Sequence, residues 1–285
     1  MGNGLACCQE RMGTMRDELI KRICADNASM FTGPGTNTYL IGIEDITLVD
    51  PGPLQESRLD NVVAQCGDKL KRVLVTHTHK DHSPGAAYLQ QRYSLPVYGQ
   101  KVKEDDGLQD KTFNPVKELV HGDLVETDEY VIEAIHTPGH ASNHLCFLIK
   151  EANCILTGDH IMNGSTVVIV PPGGNMADYI ASLRRLLDYQ VKVVAPGHGE
   201  LIQDCRGEVE KLVRHRLMRE AKVFAALDQR PQSLDELVVN VYDDVDPMMH
   251  EWAKLSLLAH LIKLEGEGKT LKTPLSGADH WQQAV

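Results

Sequence analysis

The chain has 285 residues, 42% of them hydrophobic and 24% charged, with a formal net charge of −11. That size suits a large globular core with a smaller appendage, no apolar run approaches the roughly 20 residues needed to span a bilayer, and the acidic balance argues against a general polyanion-binding surface. The seven cysteines are scattered, with no C-x-x-C pair, which fits a reducing compartment; Cys146 and Cys154 lie in apolar strand-like segments and read as small buried hydrophobes.

Residues 1–20 are read as a flexible N-terminal extension. The opening Met1-Gly2-Asn3-Gly4-Leu5-Ala6-Cys7-Cys8 lacks the basic and apolar regions of a secretory signal, so a cytoplasmic protein is expected. Gly2 beside cysteines resembles an acylation signal, but Ala6 stands where Ser or Thr is required. Asn37–Ile41 and Ile46–Val49 then read as a strand pair closed by the Asp50-Pro51-Gly52 turn, and 54–66 has helical spacing.

Arg72-Val73-Leu74-Val75 is a β-branched and aliphatic run that predicts a buried strand leading into Thr76-His77-Thr78-His79-Lys80-Asp81-His82. If the chain stays extended, His77, His79 and Asp81 project to one side. His82 joins them only if the backbone turns, and Ser83-Pro84 supplies an N-cap followed by proline at the first helical position. Isolated histidines are usually surface or satisfied core residues. Several ionisable groups at the end of one apolar strand would instead be costly to bury without a metal to compensate them.

Downstream, 116–149 is β-rich. Three further candidate ligands each follow a strand and sit in a glycine-containing turn: His140 in His136-Thr137-Pro138-Gly139-His140, Asp159 after Cys154-Ile155-Leu156-Thr157-Gly158, and His198 in Pro196-Gly197-His198-Gly199. Seven nitrogen and carboxylate ligands (His77, His79, Asp81, His82, His140, Asp159, His198) read as a two-metal hydrolytic site suited to two Zn²⁺, with Mn²⁺ or Fe as substitutes. His136, His144 and His160 lie beside ligand segments and are candidates for supporting or substrate contacts. His121, His215, His250, His260 and His280 are read as non-ligands.

Between these segments, 176–187 predicts a helix capped by Asn175. Strands alternating with helices up to about residue 204 predict two sheets packed face to face with helices outside, an αββα sandwich. Beyond that the pattern is helical. Residues 208–227 form a long helix carrying Lys211, Arg214, Arg216, Arg219 and Lys222; Ser233-Leu234-Asp235-Glu236 is a helix start; and Trp252, Leu255, Ala259 and Ile262 make a stripe read as core. Gly266–Lys272 adds a turn and a strand. Three helices and a β-turn element suggest a winged helix, but one with 11 Lys and Arg against 13 Asp and Glu over 206–285, which is not a basic module. The basic stretch of its first helix reads as a solvated face, with contact to a substrate phosphate as the alternative. The module is expected to shape access to the metals.

The ordered ligand set resembles that of the metallo-β-lactamase superfamily over about residues 30–200. With Gly33-Pro34-Gly35-Thr36-Asn37-Thr38-Tyr39-Leu40, His215-Arg216 and 257–265, nearly the whole chain resembles the β-lactamase-like protein 2 group, a metallo-β-lactamase sandwich joined to a C-terminal winged helix. The expected domains are 21–204, catalytic, and 205–285, winged-helix-like. The resemblance implies that His77, His79 and His140 hold one metal, that Asp81, His82 and His198 hold the other, and that Asp159 bridges them. Asp81 and Asp159 would be catalytic, with a metal-bridging hydroxide as nucleophile.

The expected activity is hydrolysis of an ester, thioester, lactone or related small substrate. Single-strand-selective cleavage of RNA, as in the animal relative, is the alternative. That relative has cysteine where this chain has His160, which puts the substrate in question. A non-enzymatic protein using zinc only for structure is disfavoured, because structural zinc is usually held in a closed four-ligand cage. No membrane partner is expected, and a homodimer is left open.

Overall fold

Two-residue alternation along the strands sorts their apolar side chains into two cores, one between the sheets and one beneath the helices. The computed structural model describes residues 18–102, 107–275 and 277–284; most of the N-terminal extension lies outside the described residues. The chain divides into two units: Met1–Thr137 with Asn143–Thr166 and Gln190–Cys205, and Pro138–Ser142 with Val167–Tyr189 and Arg206–Val285.

In the first unit, β1 (Ile20–Cys24), β2 (Asn37–Ile41), β3 (Ile46–Val49), β4 (Leu70–Leu74), β5 (Val97–Gly99) and β6 (Lys117–Glu118) form one sheet in that order. The other sheet has the order β11 (Val193–Pro196), β10 (Cys154–Gly158), β9 (Leu145–Ile149), β8 (Val131–His136), β7 (Leu124–Glu126). Tyr39, Ile41, Val49 and Leu74 meet Leu145, Phe147, Ile149, Leu156 and Val193 between the sheets. Intervening residues Leu40, Leu48 and Val73 point the other way, onto Leu59 and Val62 of α1 (Glu56–Cys66) and Ala86 and Leu89 of α2 (Pro84–Tyr93). Each such aliphatic side chain, buried completely, contributes about 1.5–3 kcal/mol. Cys146 and Cys154 are buried as expected, and burial pushes the Cys146 thiol up to about 12.

Strand directions place the functional loops. β3 and β4 run parallel, and so do β10 and β11, so within each pair the C-terminal ends share one edge. A register shift between Leu156 and Gly158 turns the end of β10, the usual effect of a bulge beside a site.

In the second unit, Asn175 caps α3 (Met176–Arg185) through Ala177 and Asp178 N–H. α4 (Cys205–Ala226), α5 (Leu234–Val241), α6 (His250–Gly266) and the hairpin β12 (Thr270–Leu275) with β13 (Ala278–Gln283) follow, and a Ser233–Glu236 capping box opens α5. Their core holds Val223, Leu237, Val241, Leu257, Leu261, Leu264 and Trp281.

Two expectations fail here. Trp252 is 43% and Ile262 40% exposed: α6 is apolar on several faces, so periodicity does not select the buried one, and Leu257, Leu261 and Leu264 take it. The cations of α4 do not form one solvated face either. Arg216 donates to Val167 O at 2.5 Å and stacks on Tyr179, while Arg219 pairs with Asp244 at 2.7 Å; both are buried. No helix among the described residues is long and apolar enough to cross a membrane.

Candidate metal centre

The strand into the histidine motif ends at Leu74, and 75–83 form a loop that turns at Lys80-Asp81-His82. Asp81 is therefore not presented alongside His77 and His79 by strand alternation. The turn groups it with His82, Asp159 and His198, whose ligand atoms all lie within 4.8 Å of one another. Ser83 occupies the cap position of α2 without a capping hydrogen bond; its hydroxyl donates to Asp110 at 2.7 Å instead.

The four donors fit a cation. His82 Nε2 lies 3.2 Å from Asp159 Oδ1, 3.5 Å from Asp81 Oδ2 and 3.3 Å from His198 Nε2. His198 Nε2 is 3.2 Å from Asp81 Oδ2 and 3.3 Å from Asp159 Oδ1. A tetrahedral ion with bonds of about 2.0–2.2 Å requires donors about 3.3–3.6 Å apart, and these five separations fall within about 0.1 Å of that range. His77 Nε2 and His79 Nδ1 are 3.1 Å apart, and the His77 ring centroid is 4.3 Å from that of His82, so the histidine pair adjoins the four-donor group.

Hydrogen bonding also selects the correct ring nitrogens. Thr76 Oγ1 donates to Asp50 Oδ2 at 2.7 Å, so its oxygen accepts from His77 Nδ1 at 3.0 Å and leaves Nε2 for a ligand. His82 Nδ1 donates to Asp50 Oδ2 at 2.9 Å and His198 Nδ1 to Gly35 O at 3.2 Å, so both present Nε2. An acceptor behind each ring fixes its tautomer and orientation, as metal-ligating histidines require.

The charges are balanced locally. Burial opposes a charged His82, yet Asp81 and Asp159 hold its pKa well above the ordinary value; His198 rises to about 10 against the same burial, through Asp159 and Asp81. Burial likewise works against the carboxylates, but His198 and His82 keep Asp159 low, and His82 and His198 do the same for Asp81. His77, pushed down by burial, stays neutral, the state in which imidazole binds metal. A carboxylate pair that draws two positive charges to one buried spot is the electrostatic counterpart of a divalent-cation site.

Two glycines make the close approach possible. A Cβ on Gly197 would fall 2.7 Å from His82 Cε1 and 2.8 Å from Asp159 Oδ1; one on Gly158, at φ +46°, would meet Thr76 Oγ1 at 2.5 Å.

The expected residues thus divide. His77, His79, Asp81, His82, Asp159 and His198 lie together in the first unit. His140 belongs to the second, where its Nδ1 lies 2.9 Å from Val168 O. Buried His144 stacks on His77 at 5.0 Å with its Nδ1 2.9 Å from Thr137 Oγ1, and buried His160 lies 5.9 Å from His144. His136 ends β8, with Leu145 as its β9 partner. His121, His215, His250, His260 and His280 are not among the potential metal ligands of the described residues.

Asp50 and Thr76 were not singled out from the sequence. Asp50 is buried, has a positive φ of 51°, and accepts from Thr76 N, Thr76 Oγ1 and His82. Its one sequence signal is the Asp-Pro-Gly turn after β3.

Comparison with known proteins agrees with this geometry. Residues 31–198 match the metallo-beta-lactamase superfamily, and 233–281 the beta-lactamase associated winged helix domain. An atrochrysone carboxyl ACP thioesterase of Aspergillus chevalieri is 30% identical over 92% of this chain and 86% of its own length. A beta-lactamase-like protein 2 homolog of Drosophila melanogaster is 29% identical over 87% of this chain and 88% of its own. A beta-lactamase domain protein from Burkholderia ambifaria superposes with a TM-score of 0.78 at 20% identity, over 93% of this chain and 91% of its own.

Proposed function

The chain belongs to the metallo-β-lactamase superfamily of hydrolases, and from that premise we propose that it is a dinuclear, zinc-type hydrolase of small ester or thioester substrates. The observation that carries the reading is the four-donor group Asp81, His82, Asp159 and His198, with Nε2 of each imidazole turned inward by Asp50 and Gly35. In this reading His77, His79 and His140 would hold the first cation, Asp81, His82 and His198 would hold the second, and Asp159 would serve both.

When bound, such cations supply Lewis acidity at a water molecule and at the bond under attack. The chain's own residues supply orientation. Asp81 has the most accessible side chain of the four, at 30% against 11% for Asp159, 6% for His198 and 0% for His82. It is therefore the carboxylate placed to accept a hydrogen bond from the attacking water and hold it towards the substrate. His82 is closed off from solvent and held on its far side by Asp50, so it serves as a ligand rather than a proton carrier. Thr76, bonded to Asp50 and His77 at once, couples the two ligand groups through one hydroxyl.

The thioester assignment draws support from the fungal relative named as a carboxyl ACP thioesterase and aligned over most of both chains. The single-stranded RNA alternative draws less, because the cations of the long helix are largely turned inward or paired: Arg216 and Arg219 are buried, Lys211 pairs with Glu208, and Lys222 with Asp243. Side-by-side assays of the metal-loaded protein on an acyl thioester and on a fluorescent single-stranded RNA test the choice. Thioester turnover that chelation removes supports it; turnover of RNA alone overturns it.

A further inference from the structure

In the second unit, one face of α4 is exposed and apolar. Val213, Leu217, Met218, Ala221 and Phe224 follow helical spacing along about 17 Å of axis; Leu217 is 37% and Met218 65% accessible. Val213, Leu217, Met218 and Ala221 of this face, with Arg184 of α3 and Leu187 just beyond it, line a groove of about 590 Å³. Isolated exposed apolar residues are ordinary, but a contiguous stripe on a groove wall marks a binding surface.

The groove's charge specifies what it would hold. Lys211, Arg216, Arg219 and Lys222 of α4 are each engaged by an oxygen of this chain. The side chains of Arg184 and Arg214, which line the groove, have no hydrogen bond or ion pair among the described residues. Glu210, the acidic residue of the lining, has Arg206 at 3.7 Å. The groove therefore offers two uncompensated guanidiniums beside an apolar floor, on a chain whose net charge is −11.

We propose that the α3–α4 groove docks an acidic amphipathic helix of a partner protein. A straight stripe three turns long matches the one-in-four and one-in-three anchor spacing by which a helix lies in a groove. Acidic side chains flanking those anchors would meet Arg184 and Arg214, for which bidentate pairing with carboxylates is available. A second copy of this chain is the poorer occupant, because a two-fold contact through this face would bring the arginine rim against itself.

The test uses the full-length protein and two fluorescein-labelled helical peptides of about 18 residues, long enough to hold helix. Both carry leucine at every third or fourth position; one has glutamate flanks and the other lysine. Fluorescence anisotropy should give at least about tenfold tighter binding of the acidic peptide. Reversing the rim with R184E/R214E should invert the preference, and L217S/M218S should weaken both peptides, with unchanged circular dichroism spectra for the variants. Equal binding of the two peptides, or indifference to R184E/R214E, would overturn the proposal. So would a dimer, seen by sedimentation, that Met218→Glu dissolves, or a single-stranded oligonucleotide binding where the acidic peptide does not.

Discussion

Asp50 Oδ2 accepts the Nδ1 proton of His82 at 2.9 Å while the same carboxyl group accepts from Thr76 N and Thr76 Oγ1. One buried carboxylate at the end of β3 thereby sets the orientation of residues on the loop after β4. Replacing it by asparagine keeps the shape and tolerates the positive φ, but removes the charge behind the imidazole. Asp50→Asn is expected to weaken metal binding about 10–100-fold with the fold intact, read by competition against a chromophoric chelator alongside circular dichroism. Unchanged affinity would deny Asp50 this role.

Gly197→Ala places a methyl against His82 and Asp159. The expected outcome is loss of the second metal together with about 1–3 kcal/mol of stability from overpacking. Gly266→Ala is the matched control. A Cβ there meets nothing within 4 Å at the end of α6, and it should stabilise by about 0.4–1 kcal/mol. Chemical denaturation of both variants, with metal analysis, checks the pair.

Within the second unit, acid should cost stability in two steps. Burial pushes His260 and His215 down, so they are neutral in the folded chain where the unfolded chain is protonated. Stability on their account falls as pH drops below about 6.5. Burial acts to raise Glu220, but His260, 3.6 Å away, and Lys263, which donates to it at 2.9 Å, prevail and lower it. Its contribution is present above about pH 4.3 and lost as pH falls through the lower, folded-state value. Glu220→Gln removes the carboxylate 2.8 Å from Lys263 while Glu267 still holds that ammonium at 2.5 Å, so it should cost about 0.5–1.5 kcal/mol at neutral pH and flatten the lower step. Thermal melts between pH 3 and 8 read both effects.

Much of the candidate site was legible because residues able to hold a metal are of a few types, and His77, His79, Asp81, His82, Asp159 and His198, which the structure brings together, follow or end apolar strands. Asp50 escaped because a lone aspartate in a turn carries no sign that it reaches a histidine 32 residues later. The capping of α3 and α5 was readable at Asn175 and Ser233, where local hydrogen bonds decide the outcome. The buried face of α6 was not, since leucines occur around much of its circumference and tertiary packing makes the choice. Arg216 and Arg219 misled for a related reason: long basic side chains look solvated in sequence, yet partners from other segments, Val167 O and Asp244, bring them inside.

The most direct test of the central claim is metal content per chain, measured by plasma mass spectrometry on the wild type and His198→Ala and paired with thioester hydrolysis. About two equivalents are expected in the wild type and about one in the variant, with a ~100-fold loss of turnover. Two retained equivalents in His198→Ala, or full hydrolysis by metal-stripped protein, would contradict the claim.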